Sequence, residues 1–249
     1  MKVIGIIPAR MGSSRFPGKP LENILGHPMI EHVYKRSQMS STLDELYLAT
    51  PDEEIKEVTE RFGGHVIMTS PLHERCNDRV AEAVQNMDAD IVVTIQGDEP
   101  MITPEIIDLT VSPLLKDDSI YCAHAISRIH DPGAFNDRNE AKVVCNQQGY
   151  IMYISREPIP TTAKNALDIP MLKLINVIPY RKDFLIKYTH LDQTPLEQAE
   201  SMDMLRVLEH GYQIKAVEIP YEIFSVDTPG DMQHVQDLMR EDPLLAKYL

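Results

Sequence analysis

Apolar, largely β-branched runs recur along the first half of the chain, and a segment with helical spacing separates most of them from the next. KVIGII (2–7), ELYLAT (45–50), HVIMT (65–69), IVVTIQ (91–96) and IYCAHAI (120–126) read as strands. Several are apolar at consecutive positions, as a strand covered on both faces would be. Between them Met29, Ile30, Val33 and Tyr34, then Ile55, Val58 and Phe62, then Val80, Ala83, Val84 and Met87 fall on helical faces. This alternation predicts an α/β fold with a mostly parallel sheet and helices on both faces, because parallel neighbours need a crossover and a helix supplies it.

Three further helix starts carry threonine followed by proline: Thr103-Pro104, Thr194-Pro195 and Thr228-Pro229. Threonine can accept from the free amides of a first turn, and proline fits there because that N–H has no helical partner. The stretch from about 131 to 190 is less regular, with strand candidates KVVC (142–145), YIMYIS (150–155) and LINVIP (174–179). It reads as an inserted smaller lobe, serving an acceptor or a dimer contact, within a single domain spanning 1–249. A chain of 249 residues buries enough surface to fold without staples. Cys76, Cys122 and Cys145 are too few and too scattered for a disulfide framework or a structural zinc site, which suits a reducing, cytoplasmic setting. The apolar start is too short for a signal-peptide core or a membrane span, so a soluble protein is expected.

Residues 8–20, PARMGSSRFPGKP, follow the first strand and hold Arg10, Arg15 and Lys19 with no acidic residue. The whole chain has 38 acidic against 24 basic residues and a formal net charge of −14, which argues against a nucleic-acid surface. A cationic loop in such a chain points to a small anion, and the loop after the first strand of an α/β sheet is a common phosphate cradle. Arginine supplies a planar fork and lysine a point charge, a pairing suited to a polyphosphate. A solvated basic turn is the plain alternative. The P-loop pattern fails: Gly12 and Gly18 are one residue too far apart and Pro20 follows Lys19.

Two carboxylates stand at strand-like ends: Asp98 after IVVTIQG, and Asp227 within IFSVDTPGD (223–231). Carboxylates there lie on the ligand-bearing edge of a sheet, and Mg²⁺ is typically held by one or two of them plus substrate phosphates and water. Either could instead be a turn residue, with Asp227 opening the turn before the Thr228 cap. His27, His32 and His210 lack a partner at catalytic spacing and read as structural or surface residues.

IIPARMGSSRFPGKPL, VTIQGDEPMI and VDTPGD, in that order, with YISREPIP (153–160) and LRVLEHG (205–211), resemble the 3-deoxy-manno-octulosonate (Kdo) cytidylyltransferases nearly end to end. The resemblance implies a nucleotidyltransferase-type, Rossmann-like fold, CTP and Mg²⁺ as reactants, a homodimer, and a nucleotide-activated sugar acid plus pyrophosphate as products. By position, Arg10 and Lys19 would hold the triphosphate, with Pro8, Ala9, Gly12, Ser13 and Ser14 lining it, and Asp98 and Asp227 would bind the metal. Cys76, Asn77 and Arg79 would line the nucleotide pocket. Arg15, Arg75, Gln96, Arg156, Asn176 and Asp203 would face the acceptor.

The chain departs from the family pattern in three places. Ser-Gly-Thr-Asp/Glu-Arg is replaced by Arg75-Cys76-Asn77-Asp78-Arg79. His-Leu-Gly-Ile-Tyr-Gly-Tyr becomes Leu174-Ile175-Asn176-Val177-Ile178-Pro179-Tyr180, and Glu-Gln-Leu-Arg becomes Asp203-Met204-Leu205-Arg206. A site that loses hydrogen-bonding partners changes the acceptor it prefers. The acceptor is therefore expected to be Kdo or a related 2-keto-3-deoxy acid, or else another small acid such as a phosphonate. A non-catalytic nucleotide-sugar binder would keep the cationic loop but need neither carboxylate.

Overall fold

The computed structural model describes residues 1–12, 16–161 and 169–249. The chain divides into two compact units, Met1–Asp108 with Ile223–Leu249, and Leu109–Glu222. The second is wider than the lobe expected at 131–190, because strands and helices on either side of that stretch pack with it.

In the first unit β1 (Val3–Pro8) is followed by a two-residue hairpin, β2 (Asn23–Ile24) and β3 (His27–Pro28), then α1 (Met29–Gln38). After these come β4 (Glu45–Thr50), α2 (Glu53–Arg61), β5 (Val66–Met68), α3 (Cys76–Val84) and β6 (Ile91–Ile95). Within this unit the sheet runs β6-β1-β4-β5, and every pairing in it is parallel. All residues of β1 and β6 are buried, which accounts for their unbroken apolar sequence. The helix α4 (Pro104–Lys116) starts at the expected Thr103-Pro104.

The second unit holds β7 (Ala123–Arg128), α5 (Pro132–Asn136), β8 (Lys142–Cys145), β9 (Ile151–Ser155), β10 (Leu172–Ile175) and β11 (Val177–Arg181). It continues with α6 (Lys182–Thr189), α7 (Pro195–Glu200), α8 (Met204–Glu209) and β12 (Lys215–Glu218). Its sheet runs β12-β7-β10-β8-β9, antiparallel except where β12 lies along β7. The run expected at 120–126 therefore belongs to this second sheet and begins three residues later, since Ile120 closes a turn by donating to the Asp117 carbonyl at 3.2 Å. LINVIP is two strands rather than one, broken at Asn176.

The chain then returns to the first unit and forms α9 (Pro229–Met239), capped as expected by Thr228, whose hydroxyl accepts from the Asp231 amide at 3.3 Å. Val226, Met232, Val235 and Met239 pack with Ile24 and Met29 in a buried cluster. Each such side chain contributes about 1.5–3 kcal/mol of apolar burial, and together they moor the segment that carries Asp227.

Candidate functional site

The ends of β1 and β6 bound a cavity of about 300 Å³ in the first unit. Their close approach requires Gly97, where an added Cβ would stand 3.1 Å from Ile30 Cδ1 and 3.2 Å from the Pro8 carbonyl oxygen. The loop after β1 is fixed at its base, because the Met11 amide donates to Asp52 Oδ2 at 2.8 Å and the Gly18 amide donates to the Met11 carbonyl at 3.1 Å. Gly18 has φ +76, a left-handed conformation that a side chain would strain, and it turns the chain into the short 3-10 helix Lys19–Leu21.

Lys19 is nearly buried and is the electrostatic centre of the cavity floor. Its ammonium donates to the Val226 carbonyl at 2.6 Å and to Asp98 Oδ2 at 3.0 Å, and stands 3.6 Å from Asp227 Oδ1. The two carboxylates come together because the Val226 amide donates to the Asp98 carbonyl at 2.8 Å, stitching the loop 223–228 to the end of β6. No strand precedes Asp227, contrary to expectation; the backbone bond to Asp98 and the buried cluster under α9 do the positioning instead. Asp231 closes the turn before α9, its Oδ2 accepting from the amides of Asp227 at 3.0 Å and Thr228 at 2.7 Å. Asp98 makes no Asx turn either, since its Oδ1 is buried with no hydrogen-bond partner among the described residues. That orphaned oxygen suits a hard cation. Among the described residues no group of three or more His, Cys, Asp or Glu could hold a metal ion, so any ion here would rest on these two carboxylates and on ligand oxygens.

The lining also holds three arginines. Arg10, Arg75 and Arg79 line the cavity with His73, Glu74 and Cys76, the last three from the N-terminal approach to α3 and its first residue. Arg79 is buried and bonded to the Thr69 hydroxyl at 2.6 Å and the Ser70 carbonyl at 3.2 Å. Burial, and after it the nearby Arg10 charge, pull its guanidinium below the ordinary arginine value. Asp52 and Glu82 offset part of that repulsion, and an anion bound beside Arg10 and Arg79 would relieve more of it. Gln96 also lines the cavity, and its Nε2 lies 2.9 Å from Cys76 Sγ.

Of the expected residues, Pro8, Ala9, Arg10, Gly12, Lys19, Arg75, Cys76, Arg79, Gln96, Asp98 and Asp227 meet on this one cavity. Ser13, Ser14 and Arg15 lie outside the described residues. Asn77, expected at a nucleotide edge, is 1% exposed, accepts from the Thr94 hydroxyl at 3.1 Å, and is absent from the cavity wall. One helical residue beyond Cys76, it turns into the sheet rather than the cavity. Arg156, Asn176 and Asp203 belong to the second unit. There Arg156 donates from Nε to the Glu200 carbonyl and from Nη1 to the Arg138 carbonyl, both at 2.9 Å. Asn176 separates β10 from β11, and Asp203 precedes α8, its carbonyl accepting from the Tyr188 hydroxyl at 3.1 Å. Pro20, Met29, His73, Glu74 and Gly97 also line the cavity and were not among the expected site residues. Gly97 was legible as the residue between a buried strand and Asp98; the others are set there by tertiary packing.

No helix of the described residues is long and apolar enough to cross a membrane. The cytidylyltransferase family model matches residues 4–218. The 3-deoxy-manno-octulosonate cytidylyltransferase of Geotalea uraniireducens (strain Rf4) is 41% identical over 251 residues, covering 97% of this chain and 100% of its own. The enzyme of the same name from Geobacter metallireducens is 42% identical over 245 residues, covering 94% of this chain and 96% of its own. A solved structure of CMP:2-keto-3-deoxy-manno-octonic acid synthetase complexed with CTP superposes with a TM-score of 0.91 at 37% identity, covering 97% of this chain and 99% of that one. With a family match over most of its length and full-length relatives at this identity, the chain belongs to the cytidylyltransferase family.

Proposed function

We propose that this chain transfers CMP from CTP to 3-deoxy-manno-octulosonate and releases pyrophosphate in a Mg²⁺-dependent reaction. The observation that carries the reading is the cavity lined by three arginines together with a lysine flanked by two carboxylates. An anion of several charges satisfies such a lining, and the names of the full-length relatives supply its identity.

An acceptor hydroxyl oxygen bonds to the α-phosphorus of CTP while the bond to the bridging oxygen of the leaving pyrophosphate breaks, and the hydroxyl proton passes to solvent. Little covalent chemistry falls to the protein, so its residues act by position and charge. Arg10 takes the charge that gathers on pyrophosphate as it departs, Lys19 adds its positive charge from its place between the two carboxylates, and buried Arg79 adds a further positive charge beside Arg10. Asp98, through its orphaned Oδ1, and Asp227 would hold the divalent ion, which when bound supplies Lewis-acid polarisation of phosphate oxygens and eases loss of the hydroxyl proton. Gln96 and Arg75, which line the same cavity, would meet the acceptor's hydroxyl and carboxylate groups. The homodimer expected from the family is a part of the proposal that light scattering measures directly. A cytoplasmic location belongs to the same proposal.

The test is calorimetric binding of CTP, ATP, GTP and UTP, followed by pyrophosphate release over a panel of Kdo, other 2-keto-3-deoxy acids and small phosphonates. CTP selectivity with turnover on Kdo is expected. The Arg75 charge on the wall favours a second acceptor, and faster turnover of a phosphonate than of Kdo would shift the substrate accordingly. CTP binding with no turnover on any acid would make the chain a binding protein.

A further inference from the structure

Lys19 is bonded where a metal-holding carboxylate pair would be expected to stand without a cation. It is nearly buried, it reaches both Asp98 and Asp227, and a third bond to the Val226 carbonyl holds its ammonium in place. We infer that Lys19 is the resident counter-ion of these two carboxylates and keeps a divalent ion from binding until a triphosphate arrives. This deepens the proposed function and rests on its assignment of the two carboxylates to the metal.

Two carboxylates and one ammonium leave the floor singly negative, so a divalent ion added alone would make it positive beside Arg10, Arg75 and Arg79, which outnumber Glu74, the one further carboxylate in the lining among the described residues. Lys19 is nearly buried and the two carboxylates are only about a quarter exposed, so such an excess is screened less than at a free surface and opposes the ion. With a triphosphate present the excess is neutralised, and the two ligands favour each other through a reciprocal coupling. The Val226 carbonyl bond supports the same view, because it gives the ammonium an anchor that does not depend on either carboxylate. Lys19 can therefore keep its place while Asp98 Oδ1, which it does not touch, remains available.

The experiment uses Mn²⁺ alone as the probe, titrated by electron paramagnetic resonance against the nucleotide-free protein, with thermal melting in parallel. The wild type is expected to bind Mn²⁺ weakly. Lys19→Met and Lys19→Gln should bind it at least about tenfold more tightly, since a neighbouring positive charge is gone. Lys19→Arg, which keeps the charge, should show no gain. Mn²⁺ should raise Tm in Lys19→Met and leave the wild-type value unchanged. Tight nucleotide-free binding by the wild type, or no gain in Lys19→Met and Lys19→Gln, would overturn the counter-ion role. The double variant Lys19→Met with Asp98→Asn separates the two ideas. Loss of the gain in that variant supports both, and a gain that survives it would overturn the assignment of the metal to these carboxylates instead.

Discussion

Nδ1 of His32 lies 2.9 Å from the hydroxyl of Tyr248, a contact between α1 and the end of the chain that fixes the state of a wholly buried ring. Nε2 faces the Ile24 carbonyl at 2.9 Å and must donate to it, so Nδ1 accepts from the phenol, while the phenol oxygen accepts from Arg36 Nε at 2.9 Å. Burial is the main cause holding the His32 pKa down to about 4.

This relationship sets a pH dependence of stability. The unfolded chain protonates the ring near its ordinary value of 6.5, whereas the folded chain resists until about 4. Above 6.5 neither state carries the proton and nothing is lost; as pH falls from 6.5 to 4 the unfolded state gains it and folding weakens, by up to about 3 kcal/mol. His124, fully buried with its pKa likewise lowered to about 4, adds in the same direction from the second unit. Denaturant midpoints should fall across that interval, and the fall should be shallower in His32→Gln. An identical slope in the variant would show that the ring does not titrate as described.

Arg36 is wholly buried and its Nη2 donates to Asp242 at 2.5 Å, so Asp242→Asn strands a buried charge. The expected loss is about 3–5 kcal/mol by chemical denaturation. The exposed pair Arg240 and Asp237 is the control: Asp237→Asn should cost less than about 1 kcal/mol. Equal effects of the two substitutions would contradict the account.

Arg206 lies in one of the segments that resemble the family, yet its role is architectural. Nε donates to Glu197 Oε2 at 2.7 Å and Nη2 to Oε1 at 2.6 Å, both residues buried, with Glu197 also completing the capping box of α7. Lysine cannot reproduce the two-pronged bond. Arg206→Lys should therefore lower Tm by several degrees with KM for CTP unchanged. A raised KM with unchanged Tm would place Arg206 in binding instead.

What the sequence made legible was local. Glu45–Thr50 was bounded correctly, and all three Thr-Pro starts became helix starts, because alternation, caps and proline geometry act within a few residues. The cationic loop and Asp98 were legible for the same reason, each sitting directly after a buried strand. What escaped depended on distant partners. Asp227 was expected at a strand end and is instead held by a backbone bond from Val226 to Asp98, 128 residues earlier. Lys19 was expected to hold the triphosphate, and its bonds to Asp98 and Val226, which span 79 and 207 residues, were not foreseen. Asn77 carries no sequence signal that distinguishes a residue facing a ligand from one facing Thr94.

The central claim is that the carboxylates beside Lys19 serve nucleotidyl transfer. Its most direct test is the steady-state rate of pyrophosphate release from CTP and Kdo in Mg²⁺, measured for the wild type, Asp98→Asn and Asp227→Asn with folding checked by circular dichroism. The account predicts robust release by the wild type and a fall of about 100-fold or more in each folded variant. Near-normal rates in either variant would contradict it.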